Sequence, residues 1–164
     1  KGDKLQVSPT KIGWKSPKSL QGLKISYLLR NAGIPCSADN SFDKLRAEKT
    51  IVNCCLNALS AIEKLPFSKL FENKKTKARI DNLFYECHNI LSEYYILDSP
   101  KKLRERLFKH WRNVNHYSST YQDIASGRKN EVPYFNGYIL VLGKKYNLHA
   151  EHNRQIIRDI RRIS

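Results

Sequence analysis

The hydrophobic pattern is clearest over residues 80–116, where it predicts two amphipathic helices separated by a break at 98–100. In both halves apolar residues recur every three or four positions, which places them on one face of an α-helix. The predicted inward residues are Ile80, Leu83, Phe84, Cys87, Ile90, Leu91 and Tyr94 in the first helix and Leu103, Leu107, Phe108, Trp111 and Val114 in the second. The second helix is basic elsewhere, so we expect one buried face and one cationic face.

The same spacing predicts further helices on both sides of this pair. One covers Leu20–Asn31, with Leu20, Leu23, Tyr27 and Leu28 inward, and is ended by Gly33 and Pro35. A long helix covers Phe42–Lys64, with Leu45, Val52, Cys55, Leu56, Leu59 and Ile62 inward. We expect short helices at Phe67–Phe71 and Tyr117–Ala125, and a basic loop at Asn73–Lys77. Asn147 is predicted to cap a last helix, with Ile156, Ile157, Ile160 and Ile163 inward.

Residues 132–142 carry the β signal of the chain. Aromatic and β-branched residues flank Asn136-Gly137, a dipeptide favoured in two-residue hairpin turns. A lone hairpin is marginally stable, so it would have to pack on the helices. The alternative is that Tyr138–Leu142 forms a buried helical turn.

Together these elements predict an all-α fold, a single-domain bundle of about five to six helices with one small hairpin near 132–142 as an option. Residues 20–164 would form the domain. Residues 1–19, rich in Lys, Ser and Pro, would form a basic arm. Its units Ser8-Pro9-Thr10-Lys11 and Ser16-Pro17-Lys18 resemble sites of proline-directed kinases and the minor-groove-binding tails of chromatin proteins. At Ser99-Pro100 the same dipeptide is better explained as a helix start.

The formal net charge of +15 on 164 residues changes the functional picture. Such an excess of cations attracts polyanions, and solubility alone needs far less charge. The predicted partner is therefore a polyanion, most simply DNA or RNA bound through its phosphates, with an anionic membrane or a cell-surface receptor as the alternative. The residues predicted to bind it are Lys74, Lys75, Lys77, Lys101, Lys102, Arg104, Arg106, Lys109, Arg112, Arg154, Arg158, Arg161 and Arg162.

The cysteines and the first residue leave the compartment open. Cys36, Cys54, Cys55 and Cys87 form no CxxC pair, which argues against a structural zinc site. Two disulfides would suit a secreted protein, and four buried thiols would suit an intracellular one. The chain begins at Lys1 and has no methionine, so we expect a fragment or a processed product. An intracellular location, nuclear included, is slightly favoured over secretion.

Two pairs of arginine and histidine resemble the active-site motif of HEPN ribonucleases. Arg104 and His110 are separated by five residues, and Arg112 and His116 by three. The resemblance implies an all-α dimer that cleaves RNA without metal, with histidine moving the proton and arginine holding the phosphate. The second pair is one residue short of the usual gap.

The stretch from Leu59 to Val114 resembles the N-terminal helical domain of transcription elongation factors. The resemblance is carried by Ile62-Glu63-Lys64-Leu65-Pro66-Phe67-Ser68 and by Lys109-His110-Trp111. It implies a helical bundle that binds short peptide motifs of nuclear proteins. The predicted helix at 80–97 is longer than that family's pattern.

No residue pattern supplies a catalytic centre, a cofactor site or a metal site. The sequence contains no Gly-x-Gly-x-x-Gly, no phosphate-binding loop and no nucleophile elbow. His149, Glu151 and His152 lack further ligands for zinc. The favoured hypothesis is thus a non-enzymatic nucleic-acid-binding module that needs no cofactor. The alternatives are a secreted basic helical protein acting at a cell surface and an HEPN-like ribonuclease.

Overall fold

Residues 14–164 are described by a computed structural model, and the chain divides into the units Lys1–Leu45 and Arg46–Ser164. Most of the predicted arm, with its Ser8-Pro9 unit, lies outside the described residues. The predicted domain boundary after residue 19 stays a prediction.

The first unit contains a β–α–β segment. Strands β1 (Trp14–Pro17) and β2 (Cys36–Asp39) are parallel, with Trp14 opposite Cys36, and helix α1 (Leu20–Asn31) connects them. Ser19 caps α1, its hydroxyl oxygen accepting a hydrogen bond from the Gly22 N–H at 3.2 Å. A Cβ at Gly22 would lie 1.9 Å from the Pro17 carbonyl oxygen. Only glycine therefore lets the chain pass so close after β1.

The predicted burial of α1 is wrong, although its bounds are confirmed. Its buried residues are Gly22 and Ser26, whose hydroxyl donates to the Cys36 carbonyl oxygen at 3.2 Å. The residues expected inward, Leu20, Leu23, Tyr27 and Leu28, are all exposed. The helix lies against the two strands through its small residues, because only small side chains allow so close an approach.

From residue 42 onwards the structure is helical, which confirms the all-α fold class. A continuous helix comprises α2 (Phe42–Val52), a π-helical segment (Asn53–Asn57) and α3 (Ala58–Glu63). It is followed by α4 (Phe67–Leu70), α5 (Lys74–Ser92), α6 (Pro100–Trp111), α7 (Ser119–Ala125), α8 (Val132–Tyr146) and α9 (Glu151–Arg161). No helix among residues 14–164 is long and apolar enough to cross a membrane.

The core of the second unit surrounds the π-helical segment. Helix α5 packs against this segment and against α8 and α9, while α7 packs against α3. The largest fully buried side chains include Phe84, Phe108, Ile51, Leu56, Ile90 and Ile139. At the edge of the core, Arg79 forms two ion pairs, with guanidinium nitrogens 3.2 Å from Glu63 Oε1 and 2.7 Å from Asp159 Oδ2. Most residues predicted inward on α5 and α6 are buried, namely Ile80, Leu83, Phe84, Cys87, Ile90, Leu91, Leu103 and Phe108. The inward prediction is wrong for Tyr94, Leu45 and Ile163, which are exposed.

Three local predictions are wrong. The optional hairpin at 132–142 is helix α8, because Pro133 suits a first helical turn and Asn136 turns its amide into the core. The predicted loop at 73–77 is the first turn of α5, capped by the side-chain oxygen of Asn73. Asn147 does not start the last helix but ends α8 in the left-handed conformation, with φ 55°.

All four cysteines are buried free thiols, as one of the two alternatives predicted. Burial raises the pKa of the Cys54 and Cys55 thiols well above the ordinary value, and nearby Cys87 adds to this rise. These thiols are therefore protonated at neutral pH and act as small core side chains.

Candidate functional site

The most unusual local structure within residues 14–164 is the π-helical segment Asn53–Asn57. A π turn closes its hydrogen bonds over five residues instead of four, is rare, and occurs frequently at functional sites. Its residues Cys54, Cys55 and Leu56 are fully buried. Asn53 and Asn57 are only half-buried, and the Asn57 amide donates to Asn53 Oδ1 at 3.3 Å. Two carboxamides are thus held side by side at the edge of the core.

Lys49 lies one helical turn before Asn53, on the last turn of α2. Residues four apart on a helix are neighbours, so Lys49, Asn53 and Asn57 form a line, here called the polar row. The Lys49 side chain is exposed and has no hydrogen bond or ion pair within residues 14–164. Its ammonium is available to an external ligand.

Ser118 fixes the far end of the polar row. Its hydroxyl donates to the Asn57 carbonyl oxygen at 2.8 Å and accepts from the Tyr121 N–H at 3.1 Å, which caps α7. Its own N–H donates to the Ser60 hydroxyl at 3.1 Å, and Ser60 donates to the Leu65 carbonyl oxygen at 2.7 Å. Helix α7 and the turn after α3 therefore lock the end of the π-helical segment.

A buried amide network supports the π-helical segment from the core side. The Asn136 amide donates to the Cys54 carbonyl oxygen at 3.2 Å and to Asn153 Oδ1 at 2.8 Å. Asn153 in turn donates from its side chain to Glu86 Oε1 at 2.8 Å. Asn136 and Asn153 are 1% and 0% exposed. Helices α5, α8 and α9 thus meet at the backbone of the segment.

Glu131 stands at the start of α8, five residues before Asn136. That separation corresponds to about 7.5 Å along a helix axis. The Glu131 carboxylate is exposed and has no hydrogen bond or ion pair among the described residues. Most other carboxylates described here are paired with arginine or lysine. A free carboxylate therefore begins the helix whose Asn136 contacts the π-helical segment.

The polar row suits a small oxygen-rich anion. The ammonium of Lys49 supplies charge and a transferable proton, while the amides of Asn53 and Asn57 supply donors and acceptors of fixed position. Glu131 could accept a hydrogen bond from a ligand hydroxyl. No group of three or more His, Cys, Asp or Glu within residues 14–164 is placed to hold a metal ion.

Two clefts of the second unit do not include the polar row. One, of about 520 Å³, is lined by Leu140, Val141, Lys144, Leu148, His149, Ala150, Glu151 and Arg154. The other, of about 530 Å³, is lined by Asn82, Tyr85, Glu86, His88, Asn89, Pro100, His149 and His152. Neither cleft contains Lys49, Asn53 or Asn57.

The predicted polyanion-binding residues are spread over three helices. Lys74, Lys75 and Lys77 are exposed at the start of α5, and Lys101, Lys102 and Lys109 are exposed on α6. Arg112 follows α6, with its guanidinium 5.5 Å from the centre of the Phe71 ring. Arg154, Arg158, Arg161 and Arg162 are exposed at α9, where the first two pair with Glu151 at 3.3 Å and Arg162 lies 3.6 Å from Asp159.

Two of the predicted arginines are already used inside the protein. Arg104 forms an ion pair with Asp81. Arg106 lies 2.6 Å from Glu48 and 3.3 Å from Asp98, and hydrogen bonding to Glu48 raises its pKa above the ordinary value. Their charges stabilise the fold, since Glu48 is only 4% exposed.

The HEPN resemblance is wrong at the level of geometry. Helix α6 ends at Trp111, so Arg112 and His116 lie in the following turn and do not share a helical face. His116 Nδ1 is 3.0 Å from the Tyr117 carbonyl oxygen. Arg104 of the other pair is held by Asp81.

Sequence reasoning missed the polar row. A usable signal was present, because lysine and asparagine recur every four residues at 49, 53 and 57 within a helix predicted correctly. These polar residues flank the expected core positions Val52, Cys55 and Leu56. The π turn itself carries no sequence signal that we can identify.

Comparison with known proteins identifies the second unit. A family model described as "Ketopantoate reductase PanE/ApbA C terminal" matches residues 41–164. A 2-dehydropantoate 2-reductase of Aquifex aeolicus is 29% identical over 137 residues, covering 79% of this chain and 43% of the relative. One of Archaeoglobus fulgidus is 23% identical over 140 residues, covering 85% of this chain and 47% of the relative. The chain spans about half the length of these relatives.

Solved structures agree with this match. A PanE/ApbA family ketopantoate reductase from Ralstonia eutropha has a TM-score of 0.78 at 26% identity, over 93% of this chain and 52% of that one. A D-mandelate dehydrogenase in complex with NADH shares the fold, with a TM-score of 0.78 at 20% identity, over 88% of this chain and 50% of that one.

These similarities correct the predicted function. The relatives are named as reductases of a small oxo acid, so a nucleic-acid-binding or general polyanion-binding module is wrong. The membrane, receptor and ribonuclease alternatives fall with it, as does the resemblance to elongation factors. Net charge is a property of the whole surface, whereas membership of the family depends on the residues of the helical core and of its edge.

Proposed function

This chain belongs to the PanE/ApbA ketopantoate reductase family, and from that membership we propose that its second unit binds the substrate of a 2-oxo acid reductase. The substrate class is that of 2-dehydropantoate, which the relatives' names specify. The observation that carries the proposal is the polar row, in which the Lys49 ammonium at the end of α2 is followed by two fixed carboxamides on the π-helical segment.

The chemistry of such a substrate matches these groups. A 2-oxo acid carries a carboxylate beside a ketone, and its reduction adds a hydride to carbon 2 and a proton to the ketone oxygen. We assign the proton to the Lys49 ammonium, which also stabilises the negative charge that develops on that oxygen. Asn53 and Asn57 orient the carboxylate and ketone by hydrogen bonds. Glu131 accepts a hydrogen bond from a hydroxyl of the substrate.

The donor of the hydride is not assigned to residues of this chain. NADH is bound by the D-mandelate dehydrogenase that shares the fold. The 164 residues contain no Gly-x-Gly-x-x-Gly turn to hold a dinucleotide phosphate, and β1 is followed instead by Lys18-Ser19. We therefore propose that, in the holoenzyme, residues outside the polar row bind the dinucleotide.

The test is steady-state reduction of 2-dehydropantoate by the holoenzyme with NADH or NADPH. Lys49→Ala is expected to lower kcat by about 100-fold or more, since it removes the proton donor. Asn53→Ala and Glu131→Gln are expected to raise KM, because they remove substrate contacts.

Matched controls separate these effects from loss of surface charge. Lys102→Ala and Glu105→Gln change an exposed lysine and an exposed glutamate on α6 and should leave both constants unchanged. A Lys49→Ala enzyme with the wild-type kcat would refute the assignment.

A further inference from the structure

We infer that Asn136 and Asn153 are positioning residues, which hold the backbone of the π-helical segment so that the polar row meets its substrate. The inference rests on the proposed function. Neither side chain has access to solvent, so both act through the Cys54 carbonyl group.

The backbone of the π-helical segment is held by side chains at two points. Changing from an α turn to a π turn rearranges the helical hydrogen bonds and leaves carbonyl groups that side chains of neighbouring elements can satisfy. Asn136 donates to the Cys54 carbonyl oxygen at 3.2 Å, and Ser118 donates to the Asn57 carbonyl oxygen at 2.8 Å. The two bonds lie near the two ends of the segment that carries Asn53 and Asn57.

Glu86 determines which way the amide network points. Its carboxylate accepts from the N–H of His152 at 2.9 Å and from both the N–H and the side-chain amide of Asn153 at 2.8 Å. A carboxylate accepts only, so Asn153 must turn its NH2 group towards Glu86 and its oxygen towards Asn136. Cys87 Sγ contacts the same side chain, 3.7 Å from Asn153 Oδ1 and 3.4 Å from its Nδ2.

Asn136 in turn has only one compatible orientation. Both groups facing its NH2 are acceptors, namely the Cys54 carbonyl oxygen and Asn153 Oδ1. A flipped amide would place oxygen against oxygen at both contacts. Glu86 of α5 contacts the start of α9 and fixes the orientation of the Asn153 amide. The Asn153 amide in turn fixes the orientation of the Asn136 amide at the Cys54 carbonyl oxygen.

The arrangement is not the one that stability alone would favour. Asn136 Oδ1 is buried without a hydrogen-bond partner among the described residues. An unpaired buried acceptor is costly, and an apolar side chain of similar volume would avoid that cost. The network instead retains an asparagine whose donors fix one carbonyl group, which points to a positional role.

The test compares network variants with packing variants on the same helices. Asn136→Leu removes the bond to Cys54 and keeps the branched shape of the side chain, and Ile139→Val perturbs α8 without touching the network. We expect Asn136→Leu to lower kcat of the holoenzyme about 10- to 100-fold with a small change in KM, because the reacting groups are misplaced while ligand contacts persist. Equal losses of kcat in the two variants, at equal unfolding midpoints, would overturn the inference.

A charge exchange gives a second test that does not depend on Asn136. Asn153→Asp places two carboxylates together and should lower kcat, whereas Glu86→Gln combined with Asn153→Asp restores a donor opposite the carboxylate at position 153, with the loss of one backbone N–H bond to residue 86. Ile156→Val on α9 is the packing control. Recovery of at least tenfold in kcat by the double variant is expected, and no recovery would contradict the transmitted orientation.

Amide hydrogen exchange separates this inference from the proposed function. In Asn136→Leu we expect exchange at residues 53–58 to accelerate at least tenfold, while the centre of α5 keeps its protection. If the wild-type holoenzyme reduces no 2-oxo acid, the proposed function fails, and exchange still decides the structural part. Unchanged protection at 53–58 would then overturn the positioning role.

Discussion

Asp39, at the end of β2, shows how strongly a single turn can perturb one residue. Its Oδ1 accepts hydrogen bonds from the Ser41 hydroxyl at 2.7 Å and the Ser41 N–H at 2.8 Å. These bonds, with a contribution from Lys15, lower the pKa of Asp39 from 3.8 to about 2. A lowered pKa stabilises the folded state at any pH above 3.8, and that contribution is lost as the pH falls through about 2.

We predict that Ser41→Ala raises the pKa of Asp39 back towards 3.8. The reason is that the substitution removes the bond from the Ser41 hydroxyl, the largest cause of the lowered pKa, and leaves the backbone N–H bond and Lys15. Carboxyl chemical shifts followed by NMR from neutral pH to pH 2 measure the change. Ser126→Ala, which changes an exposed serine remote from Asp39 in the sequence, is the control. An unmoved titration in Ser41→Ala would mean that the backbone N–H of residue 41 and Lys15 account for the lowered pKa.

At the residue scale, the sequence identifies the charged residues but does not show which of them form ion pairs in the fold. Arg104 and Arg106 were predicted as a cationic surface, but acids distant in sequence, Asp81 and Glu48, neutralise them. Lys49 is not among the predicted binding residues, although its ammonium has no partner within residues 14–164 and lies one turn from two carboxamides. Pairing between helices depends on their packing, which spacing along the chain does not contain.

At the element scale, α8 contains two glycines with opposite roles. A Cβ at Gly137 would meet nothing within 4 Å, whereas one at Gly143 would lie 2.9 Å from the Leu148 carbonyl oxygen and 3.2 Å from Ala150 Cβ. Gly143 therefore permits the close turn from α8 into α9. Gly137 costs helix stability without a packing reason.

The two glycines give a matched prediction. Gly137→Ala should stabilise the protein by about 0.5–1 kcal/mol, since alanine favours the helix. Gly143→Ala should destabilise it, because backbone and core atoms must shift. Urea unfolding monitored by circular dichroism measures both. Stabilisation by Gly143→Ala would show that the turn after α8 yields without cost.

Elements of regular periodicity were predicted well, and those with a tertiary determinant were not. The bounds of α1, and of the helix from Phe42 to Glu63 to within one residue, follow from apolar spacing and end signals. Asn136-Gly137 reads locally as a hairpin turn, but Asn136 instead bonds to Cys54 and Asn153 across the core. Helix α5 begins at Lys74, earlier than predicted, because its cap Asn73 precedes the apolar residues on which the prediction rests.

At the scale of the whole molecule, the net charge of +15 has a thermodynamic effect. Like charges repel more strongly in the folded chain than in the expanded one, and salt screens that repulsion. We predict that the unfolding midpoint rises as NaCl increases from about 20 to 200 mM. Differential scanning calorimetry measures it.

A charge-reduced variant provides the control for this prediction. Lys101→Glu with Lys102→Glu lowers the net charge on the exposed face of α6 and should weaken the dependence on salt. A midpoint that falls with salt would mean that ion pairs such as Arg79–Asp159 outweigh the repulsion.

The fold class of the molecule could be predicted from its sequence, whereas its function could not. Helical periodicity predicted an all-α chain, and family membership now agrees with it. The charge suggested a polyanion because it is a sum over the whole surface. The polar row consists of three residues at the edge of the core, of which only Lys49 is charged. It therefore contributes little to the net charge.

The π-helical segment has a consequence for how this protein can change in evolution. One extra residue is accommodated in its turn, so deleting one residue between 53 and 57 would restore an ordinary α turn. Side chains beyond the deletion would keep nearly their present directions, whereas those within 53–57 would shift relative to Lys49 and break the polar row. Substitutions can tune this helix one contact at a time. An insertion or deletion, by contrast, changes several contacts at once. Natural variants should therefore show almost no insertions or deletions in this segment.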